Sequence, residues 1–396
     1  MFELEEVGTP EAEASSTVIK VVGVGGAGGN AVEHMIREGV GGVEFICCNT
    51  DAQALKKSTA HVKLQLGPGL GAGGKPEKAR ELAVLDRGRI AEALDGAHMV
   101  FITAGMGGGT GTGAGPVIAE VARELGILTV AVVTKPFEYE GKRKRLAEEG
   151  VAELARHVDS LIIILNEKLE EVLGDEVSML EAFQAADNVL RNAVGGIAEI
   201  INVPGLVNVD FEDVRTVMGE MGKAMMGSAV AAGVDRARVA AEEAVASPLL
   251  EGIELSGARG VLVNITASST LGLKEYKEVM KTIRQYTAPE ATVICGAVFD
   301  ETMEDQLRVT VVATGLGIVG AREAAKPAMR VVETVGLRTG TDNLQVFDVG
   351  MSQGPIDLSS VTSSARGAPR NAQADAMAAS GVDKYDIPAF LRRQSD

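Results

Sequence analysis

The chain has 396 residues, with 38 basic against 55 acidic side chains and a net charge of −17. That length allows one or two ordinary domains, and 46% apolar residues are ample for a buried core. The acidic balance argues against nucleic acid and anionic lipid surfaces as partners, and no apolar run approaches the ~20 residues needed for direct membrane insertion.

Met1 to Thr17 carries five glutamates and no basic residue, which is no secretory signal. Val18 to Val24 is a β-branched run, and Asn30 to Arg37 has helical spacing. Further strand-like runs follow at Val43 to Cys48, Met99 to Ala104, Leu128 to Thr134 and Ser160 to Leu165. The three cysteines, Cys47, Cys48 and Cys295, form neither a disulfide framework nor metal-ligand spacing; they suit a reducing, cytoplasmic compartment. Helical stretches at Pro116 to Leu125 and Arg143 to His157 alternate with the strands. Continuous apolar strands separated by helices predict an α/β fold with a parallel sheet covered on both faces. A long helix is expected over Ser178 to Ile201.

Beyond Pro204-Gly205 the pattern changes. Asp210 to Met225 and Lys274 to Tyr286 read as helices; Gly260 to Thr266, Ala291 to Val298 and Leu307 to Ala313 read as strands, making a smaller mixed α+β unit. From about Gly315 periodicity is lost, and 349–382 has the composition of a flexible tether. An apolar cluster then returns at Tyr385 to Arg393, where Ile387, Phe390 and Leu391 align on one helical face behind a capping Asp386.

Glycine makes up 48 residues, about 12% against an average near 7%. Gly23 to Gly28 satisfies GxGxxG with Glu44 about twenty residues on, which suits a dinucleotide-binding dehydrogenase. Gly69 to Lys75 matches seven positions of a P-loop, but Pro76 stands where a hydroxyl should hold Mg2+ and no clear strand leads in, so a P-loop is rejected. Gly105 to Gly113 follows a strand and holds five glycines within the seven residues from Gly107, so successive N–H groups can face an anion, with Pro116 opening the next helix. Three readings compete: a nicotinamide oxidoreductase that uses only the first loop, a non-polymerising nucleotide-binding regulator, and a nucleotide-hydrolysing filament protein.

The GGGTGTG run at 107–113 resembles the nucleotide-loop motif of the tubulin/FtsZ superfamily. The likeness extends from Ile19 to Leu316 and over the last dozen residues, through Asn49 to Gln53, Phe137 to Gly141, Asn166 to Leu169, Asp187-Asn188, Asn208 to Asp213 and Asp386 to Arg393. It implies a GTPase that polymerises head to tail into the bacterial division ring, with GTP/GDP and Mg2+ as cofactors. It also implies an architecture: a Rossmann-like GTP-binding domain at 19–177, a central helix at 178–203, a C-terminal α+β domain at 204–316, a linker at 317–382 and a partner-binding peptide at 383–396, after an acidic disordered segment at 1–18.

The resemblance also assigns roles to residues. Gly25, Gly26, Ala27, Gly28, Gly29 and Asn30 would form the first phosphate-side loop, and Gly107, Gly108, Gly109, Thr110, Gly111, Thr112 and Gly113 would wrap the phosphates. Asn49 and Asp51 would lie near the γ-phosphate and its Mg2+, with Gly71, Ala72 and Gly73 closing over that end. Glu140, with Arg143 or Lys144, would serve the ribose side; Phe183 would stack on the base, and Asp187 with Asn166 would read its polar edge. A carboxylate accepts from guanine N1–H and its exocyclic amine, whereas adenine presents an acceptor at N1. Asp210 and Asp213, preceded by Asn208, would act on the nucleotide of a neighbouring subunit, and residues 385–393 would engage membrane tethers and regulators of the ring. Lys75 replaces the asparagine usual in this family beside the phosphate end, and Lys144 falls where an arginine is usual.

Overall fold

A computed structural model of the chain describes residues 17–174, 178–203, 207, 209–220, 222–247 and 257–316. Asn208 and the segments 1–16, 317–382 and 383–396 therefore lie outside the described residues. The elements run in order β1 (Ile19–Val24), α1 (Gly25–Arg37), β2 (Val43–Asn49), α2 (Ala52–Lys57), β3 (Val62–Gln65), α3 (Pro76–Leu85), α4 (Arg87–Leu94), β4 (Met99–Gly105), α5 (Thr110–Glu124), β5 (Leu128–Lys135), α6 (Lys142–Leu154) and β6 (Ser160–Leu165). There follow α7 (Asn166–Leu173), α8 (Met179–Asn202), α9 (Phe211–Met218), β7 (Gly222–Ala232), α10 (Arg236–Val245), β8 (Gly260–Ala267), α11 (Leu273–Tyr286), β9 (Thr292–Phe299) and β10 (Gln306–Leu316).

All ten strands belong to one sheet, in the order β3-β2-β1-β4-β5-β6-β7-β10-β8-β9. The strands from β3 to β7 are parallel, β10 runs against both β7 and β8, and β9 is parallel to β8. The smaller unit expected from the sequence thus continues the first sheet, through the short parallel pairing of Ser160–Ile162 with Gly222–Ala224.

Side-chain alternation along the strands divides the core. Ile19, Val21, Phe45 and Phe101 pack with α1, α8 and α9 on one face, while Val22, Ile46, Val100 and Ile102 pack with α4, α5 and α6 on the other. Val261, Val263 and Ile265 face α10 and α11, leaving Leu262 to join α8. Helix α8 starts where expected: Ser178 Oγ accepts from the Glu181 amide at 3.3 Å, and the Glu181 carboxylate accepts from the Ser178 amide at 2.9 Å. Cys47, Cys48 and Cys295 are buried and free. Among the described residues, no helix is long and apolar enough to cross a membrane.

Several expectations need correction. Pro116 lies inside α5, which already begins at Thr110, so the glycine run forms the helix's first turns. Gly25 to Gly29 likewise belong to α1. A strand, β3, does precede the Gly69 to Lys75 loop. The helix expected over Asp210 to Met225 stops at Met218, where the Gly219 amide caps it on the Arg215 carbonyl at 2.8 Å, and β7 takes up the remainder.

Candidate functional site

A cavity of about 330 Å3 opens at the carboxyl ends of β1, β4, β5 and β6. Its lining brings together Gly26, Ala27 and Asn30 from α1, Gly105 and Met106 at the end of β4, Thr134 and Pro136 around the end of β5, Glu140 and Arg143, Asn166 after β6, and Phe183, Ala186, Asp187 and Leu190 from α8. A ligand crevice at the carboxyl edge is what a parallel sheet provides, because each strand there hands over to a loop or helix N-terminus. A second hollow of about 290 Å3 shares Gly26 and Asn30 with the first and adds Gly25, Gly29, Glu33, Asn49 and Asp51.

The glycines fall into two groups. At Gly28 a Cβ would lie 2.2 Å from the Thr103 carbonyl oxygen, and at Gly113 only 2.0 Å from that of Pro76, so these positions let helices touch backbone. Gly111 is similarly pressed on the Gly105 carbonyl, at 2.6 Å. At Gly26, Gly108, Gly71 and Gly73, by contrast, a Cβ would meet nothing within 4 Å. Those four leave open space beside backbone amides, a cradle suited to phosphate oxygens.

The loops around that space are tied to one another. Thr112 Oγ1 accepts from the Gly107 amide at 2.9 Å, and Thr110 and Thr50 share a hydroxyl contact of 2.7 Å. The Gly71 amide donates to the Thr50 carbonyl at 2.8 Å, and buried Ala72 packs on Gly109. Asn49 Oδ1 accepts from the Asp51 amide at 3.1 Å, and Asp51 in turn caps α2 through the Gln53 amide at 2.8 Å. Lys75 is exposed at the start of α3 and makes no ion pair among the described residues.

At the far end the polar groups stand unpaired. Asn166 is buried, and its Oδ1 has no hydrogen-bond partner. The Asp187 carboxylate lines the same cavity without a hydrogen-bond donor among the described residues. Burial pushes its carboxyl up to about 6, against the pull of His34 and Arg37. Phe183 is 49% exposed and offers a ring face at the rim. A planar base presenting donors would satisfy both acceptors. Of the two basic residues that the resemblance assigns to the ribose side, Arg143 lines the cavity and pairs with Glu140, whose Oε1 also accepts from the Phe137 amide at 3.0 Å. Lys144 is turned to Glu138, and Arg145 lies 3.5 Å from Glu149.

Asp210 and Asp213 are not in this cavity. Asp210 caps α9, accepting from the Asp213 amide at 2.8 Å, and both side chains are exposed. The next residue, Phe211, meets His98 edge-on with ring centroids 6.1 Å apart, and His98 Nδ1 accepts from the Val18 amide at 3.0 Å. His98 and Val18 immediately precede β4 and β1, so α9 begins at the amino edge of the sheet. The six residues of β1 separate that edge from Gly25 by roughly 20 Å. Thr134 and Pro136 line the cavity without any signal in the sequence beyond their place around the end of a strand, and His34 beside Asp187 carries none either.

Comparison with known proteins follows the same division. The GTPase domain of the Tubulin/FtsZ family matches residues 18–174, and the C-terminal domain of the FtsZ family matches 222–317. The cell division protein FtsZ of Pseudomonas aeruginosa is 54% identical over 402 aligned positions, covering 97% of this chain and 98% of that protein. Its counterpart from Azotobacter vinelandii is 53% identical across the full length of both. Among solved structures, an empty FtsZ dimer from M. jannaschii superposes with a TM-score of 0.74 at 42% identity, covering 78% of this chain and 90% of that one. A GTPγS-bound protofilament of CetZ2 from Haloferax volcanii shares the fold, with a TM-score of 0.66 at 22% identity over 76% and 94% of the two chains.

Proposed function

Because the chain belongs to the tubulin/FtsZ family of GTPases, we propose that each nucleotide it binds is hydrolysed in a site made by two subunits stacked head to tail. The protein is a filament-forming GTPase of bacterial cell division, and it binds GTP and GDP. The observation that carries the two-subunit reading is the separation of its parts: the cavity occupies the carboxyl edge of the sheet, while Asp210 and Asp213 project from the amino edge. A single chain cannot bring them together, whereas translation along the strands brings one subunit's α9 over the next subunit's cavity.

In this reading the amides around Gly26 and Gly108, and the loop at Gly71 to Gly73, take the phosphates. Glu140 and Arg143 hold the ribose, Phe183 stacks on the base, and Asn166 and Asp187 accept from guanine. The unpaired state of those two acceptors supports guanine over adenine, which would place its N1 acceptor against a half-buried carboxylate. Asn49 and Asp51 lie at the phosphate end, beside the Mg2+ that the nucleotide phosphates would carry. When bound, Mg2+ would neutralise charge on the terminal phosphates. Asp213, with its carboxylate uncommitted among the described residues, orients the attacking water and accepts its proton while Asp210 keeps the helix start in shape. Asn208 belongs to the same segment by sequence.

The matched ranges 18–174 and 222–317 support a division into GTP-binding, central-helix and C-terminal parts at 19–177, 178–203 and 204–316. The peptide 385–393 is proposed to dock on membrane-tethering and regulatory division proteins, placing the filaments in a ring at mid-cell. Phosphate release against protein concentration, followed with light scattering, tests the shared site. A specific rate that climbs from near zero above a threshold is expected; a rate per molecule independent of dilution would overturn it.

A further inference from the structure

His34 lies one turn beyond Asn30 on α1 and faces α8. Its Nε2–H donates to Oδ1 of Asn188 at 2.7 Å. Among the described residues this is the only side-chain hydrogen bond between α1 and α8. The residue next to Asn188 is Asp187, whose carboxylate also feels the charges of His34 and Arg37 from the last turn of α1.

The place of this bond gives it leverage. The buried residues of α8 begin at Ala186; the turns before it, with Met179, Leu180 and Phe183 exposed, have little core to lock them. Phe183, Asp187 and Leu190 nevertheless share the face that lines the cavity. A small rotation of this end of the helix would swing the carboxylate away without disturbing the packed half. We propose that His34 is a positioning residue for base recognition, which by holding Asn188 sets the rotation of α8 that aims the Asp187 carboxylate at the exocyclic amine of guanine. This rests on the reading above that Asp187 accepts from guanine.

Inosine triphosphate keeps N1–H but lacks the exocyclic amine, so the ratio of GTP to ITP affinity reports that one contact. Both affinities are to be measured on the full chain for wild type, His34→Ala, His34→Gln, Asn188→Ala and Asp187→Ala. His34→Ala is expected to weaken GTP more than ITP, which loses only the N1–H contact, narrowing the ratio by about tenfold, the scale set by loss of one hydrogen bond. His34→Gln, whose amide can donate to Asn188, should restore most of the ratio. Asn188→Ala, a change at an exposed site, removes the same bond from the other side and should reproduce the narrowing even if His34→Ala folds poorly. Equal losses for GTP and ITP in both single variants would make the bond merely structural and overturn the proposal. If Asp187→Ala collapses the ratio while His34→Ala and Asn188→Ala leave it intact, the role of His34 fails and the guanine reading stands. If Asp187→Ala leaves the ratio intact, that reading fails and this one with it.

Discussion

The backbone amide of Gly107 donates to the side-chain oxygen of Thr112 at 2.9 Å, so the glycine loop is closed by a bond from its first residue to a helix residue five positions on. Gly107 itself has a φ of +92°, and a Cβ there would lie 2.6 Å from the Arg143 carbonyl oxygen. The loop is therefore held in shape before any ligand arrives. Thr112→Val keeps the volume but leaves the Gly107 amide buried without an acceptor, at a cost of about 1–3 kcal/mol. Thermal unfolding should register that loss, and nucleotide affinity should fall with it. Thr112→Ser, which keeps the oxygen, should recover both.

The two groups of glycines make opposite predictions for one extra methyl. Gly28→Ala and Gly113→Ala drive a Cβ into carbonyl oxygens at 2.2 and 2.0 Å, and should destabilise the fold by about 1–3 kcal/mol or more. Gly26→Ala and Gly108→Ala meet no protein atom within 4 Å. Their melting temperatures should stay near wild type while GDP affinity drops at least tenfold. Paired calorimetry and nucleotide titration separate the outcomes.

Asp187 gives the empty and the loaded chain opposite responses to acid. Burial raises its carboxyl to about 6, so the folded empty chain holds that proton more tightly than the unfolded chain does. Its contribution to stability is present below the ordinary carboxylate value near 4 and is lost as pH rises through about 6. Guanine donors need the ionised form, so GDP affinity should be flat above pH 7 and weaken by about tenfold per unit below 6. Titrations between pH 5 and 8 should show that slope in the wild type and lose it in Asp187→Asn.

Asp213→Ala removes the carboxylate proposed to orient the water but leaves the α9 cap at Asp210 in place. GTP binding by isolated subunits should be unchanged, filaments should persist, and turnover should fall by at least 100-fold, within the ordinary range for a general base. Loss of binding instead would put the residue in its own subunit's pocket.

Much of this was legible in the residues, and the gaps have physical causes. Runs such as Met99 to Ala104 and Ser160 to Leu165 are apolar on both faces, so their strands read directly. The apolar spacing over Ser178 to Ile201 made the long helix legible, and the Ser178–Glu181 capping box seen in the structure explains why it begins there. Glycine misled: a composition that usually breaks helices here builds the first turns of α1 and α5, because the close approach to Thr103 and Pro76 repays its poor propensity. β3 was too short and too polar to stand out, and β7, rich in Gly, Ala and Met, continued an apparent helical period past Gly219. His34 has no local signature, because its contact is with a residue 154 positions away, which no local pattern encodes.

The placement of α9 at the edge of the sheet remote from the cavity has an arithmetic consequence. In the two-subunit reading a filament would contain one fewer complete site than it has subunits, since the terminal cavity would have no neighbour to cover it. A dimer would then hydrolyse nucleotide in one of its two cavities, and a long polymer in nearly all of them. Mean turnover per subunit would thus become a ruler for polymer length.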